Sequence, residues 1–302
     1  MLNDKLKNYL HFHVIVFIWG FTAVLGALIT IDAVPLVWWR MGIASVLIFI
    51  FIKWKGLSLR MNRSTLLGLS LAGVVIAAHW LTFFGAIKVS NVSITLAMMS
   101  TGAFFTSLME PLFYKRKIIG YELLFGLLVI GGLYLIFQVE TEYTLGIVLA
   151  LISAFLSAVF TLINGKYVQD NSPTVMSFYE LTVGTLCIAI YLAFAKAYSP
   201  TFFALPVMDW VYLFILASVC TAYAFIASVK VMRYLSPYTL MLTINLEPVY
   251  GIILAYLLLG DSENMSPKFY LGGVLILSTV VLNGILKTRR KVNKVESAQG
   301  TA

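Results

Sequence analysis

The feature that most restricts this chain is a succession of ten apolar runs, at 10–30, 35–52, 65–87, 91–113, 120–137, 145–166, 173–195, 208–231, 237–259 and 268–286. About 20 mostly apolar residues cross the hydrocarbon core of a bilayer as a helix. The overall composition, 61% hydrophobic and 11% charged, is too apolar for a soluble domain. The fold class is therefore an all-α integral membrane protein with ten transmembrane helices. Turn and charge signals mark the junctions, among them Asp32 to Pro35, Lys166 to Pro173, Arg233 to Pro237 and Asp261 to Pro267. The connections are short, so no soluble domain is inserted.

A formal net charge of +8 by itself suits nucleic acid, but the basic residues sit in short clusters between apolar runs, and we expect no nucleic-acid partner. With the N-terminus inside, the inner segments gather Lys5, Lys7, Lys53, Lys55, Arg60, Arg63, Lys115, Arg116, Lys117, Lys166, Arg233 and the basic run from Lys287. The outer loops hold only Lys88, Lys196 and Lys268, against Asp32, Glu140, Glu142, Asp209, Asp261 and Glu263. This positive-inside bias places both termini in the cytoplasm. The first run lacks a small-residue cleavage site and is too long for a signal-peptide core, so it reads as a retained span. Cys187 and Cys220 lie inside apolar runs without metal-like spacing and read as buried small hydrophobes.

The ninth run carries a carboxylate followed by proline near its middle, Glu247-Pro248. An ionisable group at that depth costs roughly 2.5–3.5 kcal/mol on insertion scales and faces a bundle interior or a wet cavity. Pro248 has no N–H for the carbonyl of Ile244, which predicts a kink beside the carboxyl. Helical spacing puts Thr243, Glu247, Tyr250 and Leu254 on one face. The stretch from Ser236 aligns with that from Ser90, setting Thr101-Gly102 opposite Glu247-Pro248; likewise Arg40 falls opposite Glu180. Five spans per half is an odd number, so the second half enters the membrane inverted, a construction of secondary transporters. The halves are 1–142 and 143–287, followed by a basic cytoplasmic tail, 288–302.

IWGFTAVLGALI (Ile18–Ile29), PLVWWR (Pro35–Arg40), FFGAIKVSNVSITLAMM (Phe83–Met99) and VKVMRYLSPYTLMLTINLEPVYGIILAYLLLGD (Val229–Asp261) together resemble the EamA-type branch of the drug/metabolite transporter superfamily. The resemblance spans about residues 10–286 and is most specific at its Leu-Glu-Pro-Val ending. It implies two inverted five-helix repeats around a central cavity, and export of amino acids or related metabolites. The first half departs from the family pattern at Gly102, where proline is common, and at Lys115-Arg116-Lys117, where a Glu usually ends the run.

The candidate substrate-binding or translocation residues are Trp19, Arg40, His79, Trp80, Thr101, Glu180, Tyr223, Lys230, Asn245, Glu247 and Pro248. Glu247 either binds a substrate ammonium group or carries a proton, or else it holds the kink. His79 is a substrate ligand, a proton relay or a satisfied core histidine. Trp19 and Trp80 offer a flat wall or simple packing. Thr101 and Asn245 are contacts to substrate or interhelical glue. Arg40 and Glu180 line cavity entrances or clamp neighbouring helices. Tyr223 and Lys230 share a helix face, and helix rise sets Lys230 roughly 10 Å in depth from Glu247. Glu110-Pro111 reads as a helix end with an interfacial salt bridge. His11 and His13 are two positions apart and do not share a face; no metal site and no cofactor is expected.

The reading is a secondary transporter of the cell inner membrane that exports a small metabolite, amino acids being the first guess, with proton coupling at Glu247. Its alternative is an uncoupled facilitator or channel-like pore for small organic solutes. The chain contains no G-x-x-x-x-G-K-S/T phosphate loop, no H-E-x-x-H and no G-x-S-x-G, which argues against ATP as fuel and against an intramembrane enzyme. Isolated charges give none of the like-charge rings of an ion channel.

Overall fold

The computed structural model describes residues 4–115 and 120–299 and contains no strand among them. Three long helices open the chain, α1 (Asp4–Leu28), α2 (Ala33–Trp54) and α3 (Arg63–Val89). The fourth apolar run is broken into α4 (Val92–Met99) and α5 (Gly102–Tyr114). Next come α6 (Gly120–Val139), α7 (Thr144–Tyr167) and α8 (Pro173–Phe194). After a short α9 (Pro200–Phe203), the eighth run divides into α10 (Val207–Ala217), a π-helical turn at Ser218–Tyr223 and α11 (Ala224–Val231). The ninth run is broken like the fourth, into α12 (Pro237–Ile244) and α13 (Glu247–Leu259), and α14 (Pro267–Gln299) follows. Among the described residues, eight stretches are long and apolar enough to cross a membrane, from Leu6–Leu28 to Thr239–Glu263.

Local chemistry explains where the helices start and stop. Asn62, Asn91 and Ser236 accept hydrogen bonds from the free N–H groups of Thr65, Ile94 and Thr239 at 2.7, 2.8 and 3.2 Å, satisfying donors that a first turn leaves unpaired. Pro173, Pro200 and Pro237 occupy first-turn positions, where a missing N–H costs nothing. Gly260 ends α13 at φ +69°, a conformation that penalises a side chain. The basic segment beyond Leu286 continues α14 to Gln299, and its Lys, Arg, Glu and Ala are good helix formers. One sequence expectation changes: Cys187 is exposed, while Cys220 is buried as expected.

The two broken helices are built to one plan. Counted from the caps Asn91 and Ser236, each has a first half of 8 residues, a two-residue break and a second half of 13 residues. The caps are the fixed points of this comparison, so Gly102 stands opposite Glu247, one residue from the pairing that sequence alignment suggests. The helices pack head against tail, α4 on α13 and α5 on α12. Leu96 fills the space beside Gly251, and its counterpart Met241 fills that beside Gly102. Other contacts between the halves also come in exchanged pairs: α1 packs on α13 as α7 packs on α4 and α5, and α3 on α8 as α2 on α10. α6 and α14 pack on each other, where Gly132 faces Gly272.

One end of the bundle is tied across the halves by carboxylates. Asp209 at the start of α10 accepts from the N–H and hydroxyl of Thr30, at 3.1 and 2.6 Å. Glu263 accepts from the N–H groups of Val92 and Ser93 at 3.1 and 2.8 Å. There it satisfies free donors and meets the positive end of the α4 dipole. Glu140 takes the hydroxyl of Ser266 at 2.8 Å.

Helices approach closely where small residues allow it. A Cβ on Gly73 of α3 would lie 2.5 Å from the carbonyl oxygen of Glu180 on α8. Gly73→Ala is therefore expected to cost about 1–3 kcal/mol of stability, read as a lowered melting midpoint in detergent. Gly273→Ala, which meets nothing within 4 Å, should leave the midpoint unchanged.

Candidate functional site

The irregular helices converge on a cavity. Its lining is drawn from both halves: Trp19 and Thr22 of α1, Arg40 of α2, Ile76, His79, Trp80 and Phe83 of α3, Met99 at the end of α4, Ser157, Phe160 and Thr161 of α7, Phe225 and Ser228 of α11 with Met232 just beyond it, Leu240 and Ile244 of α12, and Glu247. Met232 also borders a shallower depression that includes Tyr114, Gly165 and Arg233. The cavity thus adjoins the end of the bundle opposite the three carboxylate ties.

Glu247 is the first residue of α13, and Asn245 and Leu246 lie outside both half-helices. Both keep right-handed helical dihedrals, and the N–H groups of Asn245 and Leu246 still reach the carbonyls of Met241 and Thr243 at 3.3 and 3.1 Å, so the helix bends here without coming apart. Thr243 turns its hydroxyl back to the carbonyl of Thr239 at 2.9 Å. The break sets the Glu247 carboxyl at a helix N-terminus, where unpaired N–H groups favour an anion. It is 7% exposed, and that exposure is to the cavity.

Arg40 is held from two sides. Its Nε donates to Thr221 Oγ1 at 2.6 Å, and the guanidinium carbon lies 3.9 Å from the centre of the Trp80 ring, a cation–π stack that Arg makes readily. Thr221 in turn donates to the carbonyl of Leu216, five residues earlier, at 2.7 Å. The Thr221 hydroxyl thus serves that carbonyl and Arg40 together, at the π-helical turn. Such turns occur often at functional sites. Arg40 and Glu247 both line the cavity, with no contact ion pair between them.

His79 is fixed by Ser153 of α7. Its Nδ1 lies 2.9 Å from the Ser153 carbonyl, which accepts only from an N–H, so the proton sits on Nδ1 and Nε2 is left as an acceptor. Ser153 Oγ donates back to the His79 carbonyl at 3.0 Å. Trp80, Phe225 and Phe160 form a continuous aromatic wall, with ring centres 5.6 and 5.3 Å apart.

Of the sequence candidates, Trp19, Arg40, His79, Trp80 and Glu247 meet in this cavity, and Pro248 shapes its edge. The others stand elsewhere. Thr101 is buried at the α4–α5 break and donates to the carbonyl of Met98 at 2.7 Å. Asn245 is buried at the matching break with neither amide atom hydrogen-bonded. Glu180 is fully buried between α8 and α3, away from the cavity lining. Tyr223 is exposed and bonds His11 at 2.7 Å, and Lys230 is exposed. An exposed Lys230 is far better placed in solvent or headgroups than at the cavity.

The sequence reading missed Thr22, Ser157, Thr161, Ser228, Phe160 and Phe225. The polar residues of α7 had a signal, since Ser153, Ser157 and Thr161 recur every four residues on one face. Thr221 had none, because a π turn leaves no mark in composition.

A polytopic helical bundle with a charged, aromatic cavity shared by two like halves is the architecture of a membrane transporter. The chain belongs to the EamA-like transporter family, whose description matches twice, over residues 7–138 and 144–285. It is 24% identical over 293 residues to a protein of Archaeoglobus fulgidus described as an uncharacterized transporter, covering 93% of this chain and 98% of the relative. A solved crystal structure superposes with a TM-score of 0.68 at 14% identity, over 93% of this chain and 98% of the other, and so shares the fold.

The Thr221 bridge gives a direct test. Thr221→Val should cost about 1–3 kcal/mol by stranding a buried donor, lowering the melting midpoint, whereas Thr221→Ser should restore most of it.

Proposed function

We propose that this protein is a secondary transporter that exports small zwitterionic metabolites, amino acids first among them, across the cytoplasmic membrane by alternating access. The observation that carries this reading is the pairing of Arg40 and Glu247, opposite charges out of direct contact, in one aromatic-walled cavity. A substrate carboxylate would take the free face of the guanidinium, and its ammonium group would take Glu247. Nε2 of His79 and the hydroxyls of Ser157, Thr161 and Ser228 would accept or donate the remaining hydrogen bonds. The Phe160–Phe225 wall would pack on an apolar side chain.

The matched broken helices and their head-to-tail packing support ten spans arranged as two inverted five-helix repeats, 1–142 and 143–287, with 288–302 continuing into the cytoplasm. The positive-inside bias supports cytoplasmic termini, so the three carboxylate ties close the outer end and the cavity faces inward. Glu247 is also the natural proton carrier in this scheme. Binding substrate ammonium and releasing a proton from the same carboxyl couples the two by exclusion. The alternative, uncoupled facilitated passage, uses the same cavity without that exchange.

Counterflow in proteoliposomes tests the reading. An amino acid should exchange saturably, while the amine lacking its carboxylate and the acid lacking its ammonium group should exchange poorly. Glu247→Gln should raise the half-saturating concentration about 10- to 100-fold, the worth of one charge-assisted hydrogen bond. Equal exchange of all three compounds, or no effect of Glu247→Gln, would contradict it.

A further inference from the structure

α14 stays helical well past its apolar run. That run ends at Leu286, yet the helix continues to Gln299 and carries Lys287, Arg289, Arg290, Lys291 and Lys294 with it. Lys287, Arg290, Lys291 and Lys294 recur at helical spacing and share one face, whereas Glu296 falls on the opposite face. In the apolar part of the helix the same face holds Phe269, Gly272, Ile276 and Thr279, of which Phe269, Ile276 and Thr279 are buried. One face of α14 thus changes along its length from packed to basic.

The contacts with α6 fix where that change falls. A Cβ on Gly132 would lie 2.7 Å from Ile276 Cγ1, and one on Gly272 would lie 2.7 Å from Ile136 Cγ1. Four residues forward on α6 match four residues back on α14, so the two helices run antiparallel. Gly120, which opens α6 twelve residues before Gly132, is then level with Thr288, twelve residues after Ile276. The face turns basic at the level where its partner helix begins. Elsewhere the pair presents apolar residues, with Leu124, Leu128 and Tyr134 of α6 and Leu271, Val274, Leu282 and Ile285 of α14 exposed, a surface that suits lipid.

The stripe carries a cost of its own. Lys287 with Lys291, and Arg290 with Lys294, are like charges four residues apart, which weaken a helix. An external anion removes that penalty. The stripe covers about 10 Å of helix axis, beginning at the end of the apolar run, and the headgroup layer of a bilayer is about 5–8 Å deep on each side.

We propose that the basic stripe of α14 binds the headgroups of anionic phospholipids in the leaflet where α6 begins. Arg and Lys give phosphodiester oxygens charge-assisted hydrogen bonds, and the acyl chains lie along the exposed apolar residues of the pair. Each cation held near an anionic surface is worth about fivefold in affinity. The proposal goes beyond the transport reading and shares with it only the crossing of the bilayer by α14.

The test involves no substrate, so its outcome is independent of counterflow. Full-length protein is released from nanodiscs of equal phosphatidylglycerol and phosphatidylcholine, and the retained lipids are counted by native mass spectrometry. Wild type should keep phosphatidylglycerol in preference, and less of it at high salt. Replacing Lys287, Arg290, Lys291 and Lys294 together by Gln, a good helix former, should lower that selectivity at least 10-fold. Lys53→Gln, Lys55→Gln and Arg60→Gln together remove three cations from the α2–α3 connection and should leave it unchanged. Should the fourfold variant fail to fold, Lys291→Gln with Lys294→Gln, both past the level of Gly120, should lower it in the same direction. Equal retention of the two lipids by wild type, undiminished selectivity in the stripe variants, or an equal loss in the α2–α3 variant overturns the proposal. So does displacement of the lipid by inorganic phosphate, which would mark a site for a soluble anion.

Discussion

Inside a bilayer every backbone N–H and C=O must find a partner within the protein, and the cavity of this transporter lies beside helices whose regular bonding lapses. Regular hydrogen bonding is interrupted at Ser100–Thr101, at Ser218–Tyr223 and at Asn245–Leu246. At the first two, neighbouring side chains serve the carbonyls. Thr101 and Ser100 hydroxyls return to carbonyls of their own turn, and Thr221 serves the carbonyl of Leu216. The same repairs expose polarity to the cavity. The break at Asn245 places a carboxyl on a helix N-terminus, and the π turn supplies the hydroxyl that holds Arg40.

The two halves solve this problem with one plan and end with different chemistry. Each broken helix has the same cap, first half, break and second half. Yet the first half begins α5 with Gly102, and the second begins α13 with Glu247. One carboxyl and one guanidinium therefore line the cavity, rather than a ring of like charge.

Much of this was legible in the sequence. Helix ends fall close to the edges of the apolar runs, because the hydrocarbon thickness fixes length and Asn, Ser and Pro fix starts. Glu247, His79, Arg40, Trp19 and Trp80 stood out as polar or aromatic residues at costly depth, and they do share the cavity. Depth alone, however, does not say which way a residue points. Glu180 and Asn245 are as buried as Glu247 and stand outside the cavity lining, and Lys230 and Tyr223 are exposed. Sequence alignment and the helix caps pair the two halves one residue apart, because the first weighs side chains and the second the helix starts. The π turn was invisible because it changes hydrogen bonding without changing composition.

The central claim is that substrate occupies the cavity between Arg40 and Glu247. Site-directed labelling tests it most directly. In a background with Cys187 and Cys220 replaced, Thr161→Cys would place one thiol on the cavity wall of the protein in membrane vesicles. The account predicts that a membrane-impermeant thiol reagent reaches it from the side where the basic loops lie, and that a saturating concentration of any exchanged substrate slows the reaction. Modification at an unchanged rate with substrate present, or from the opposite side only, would contradict it.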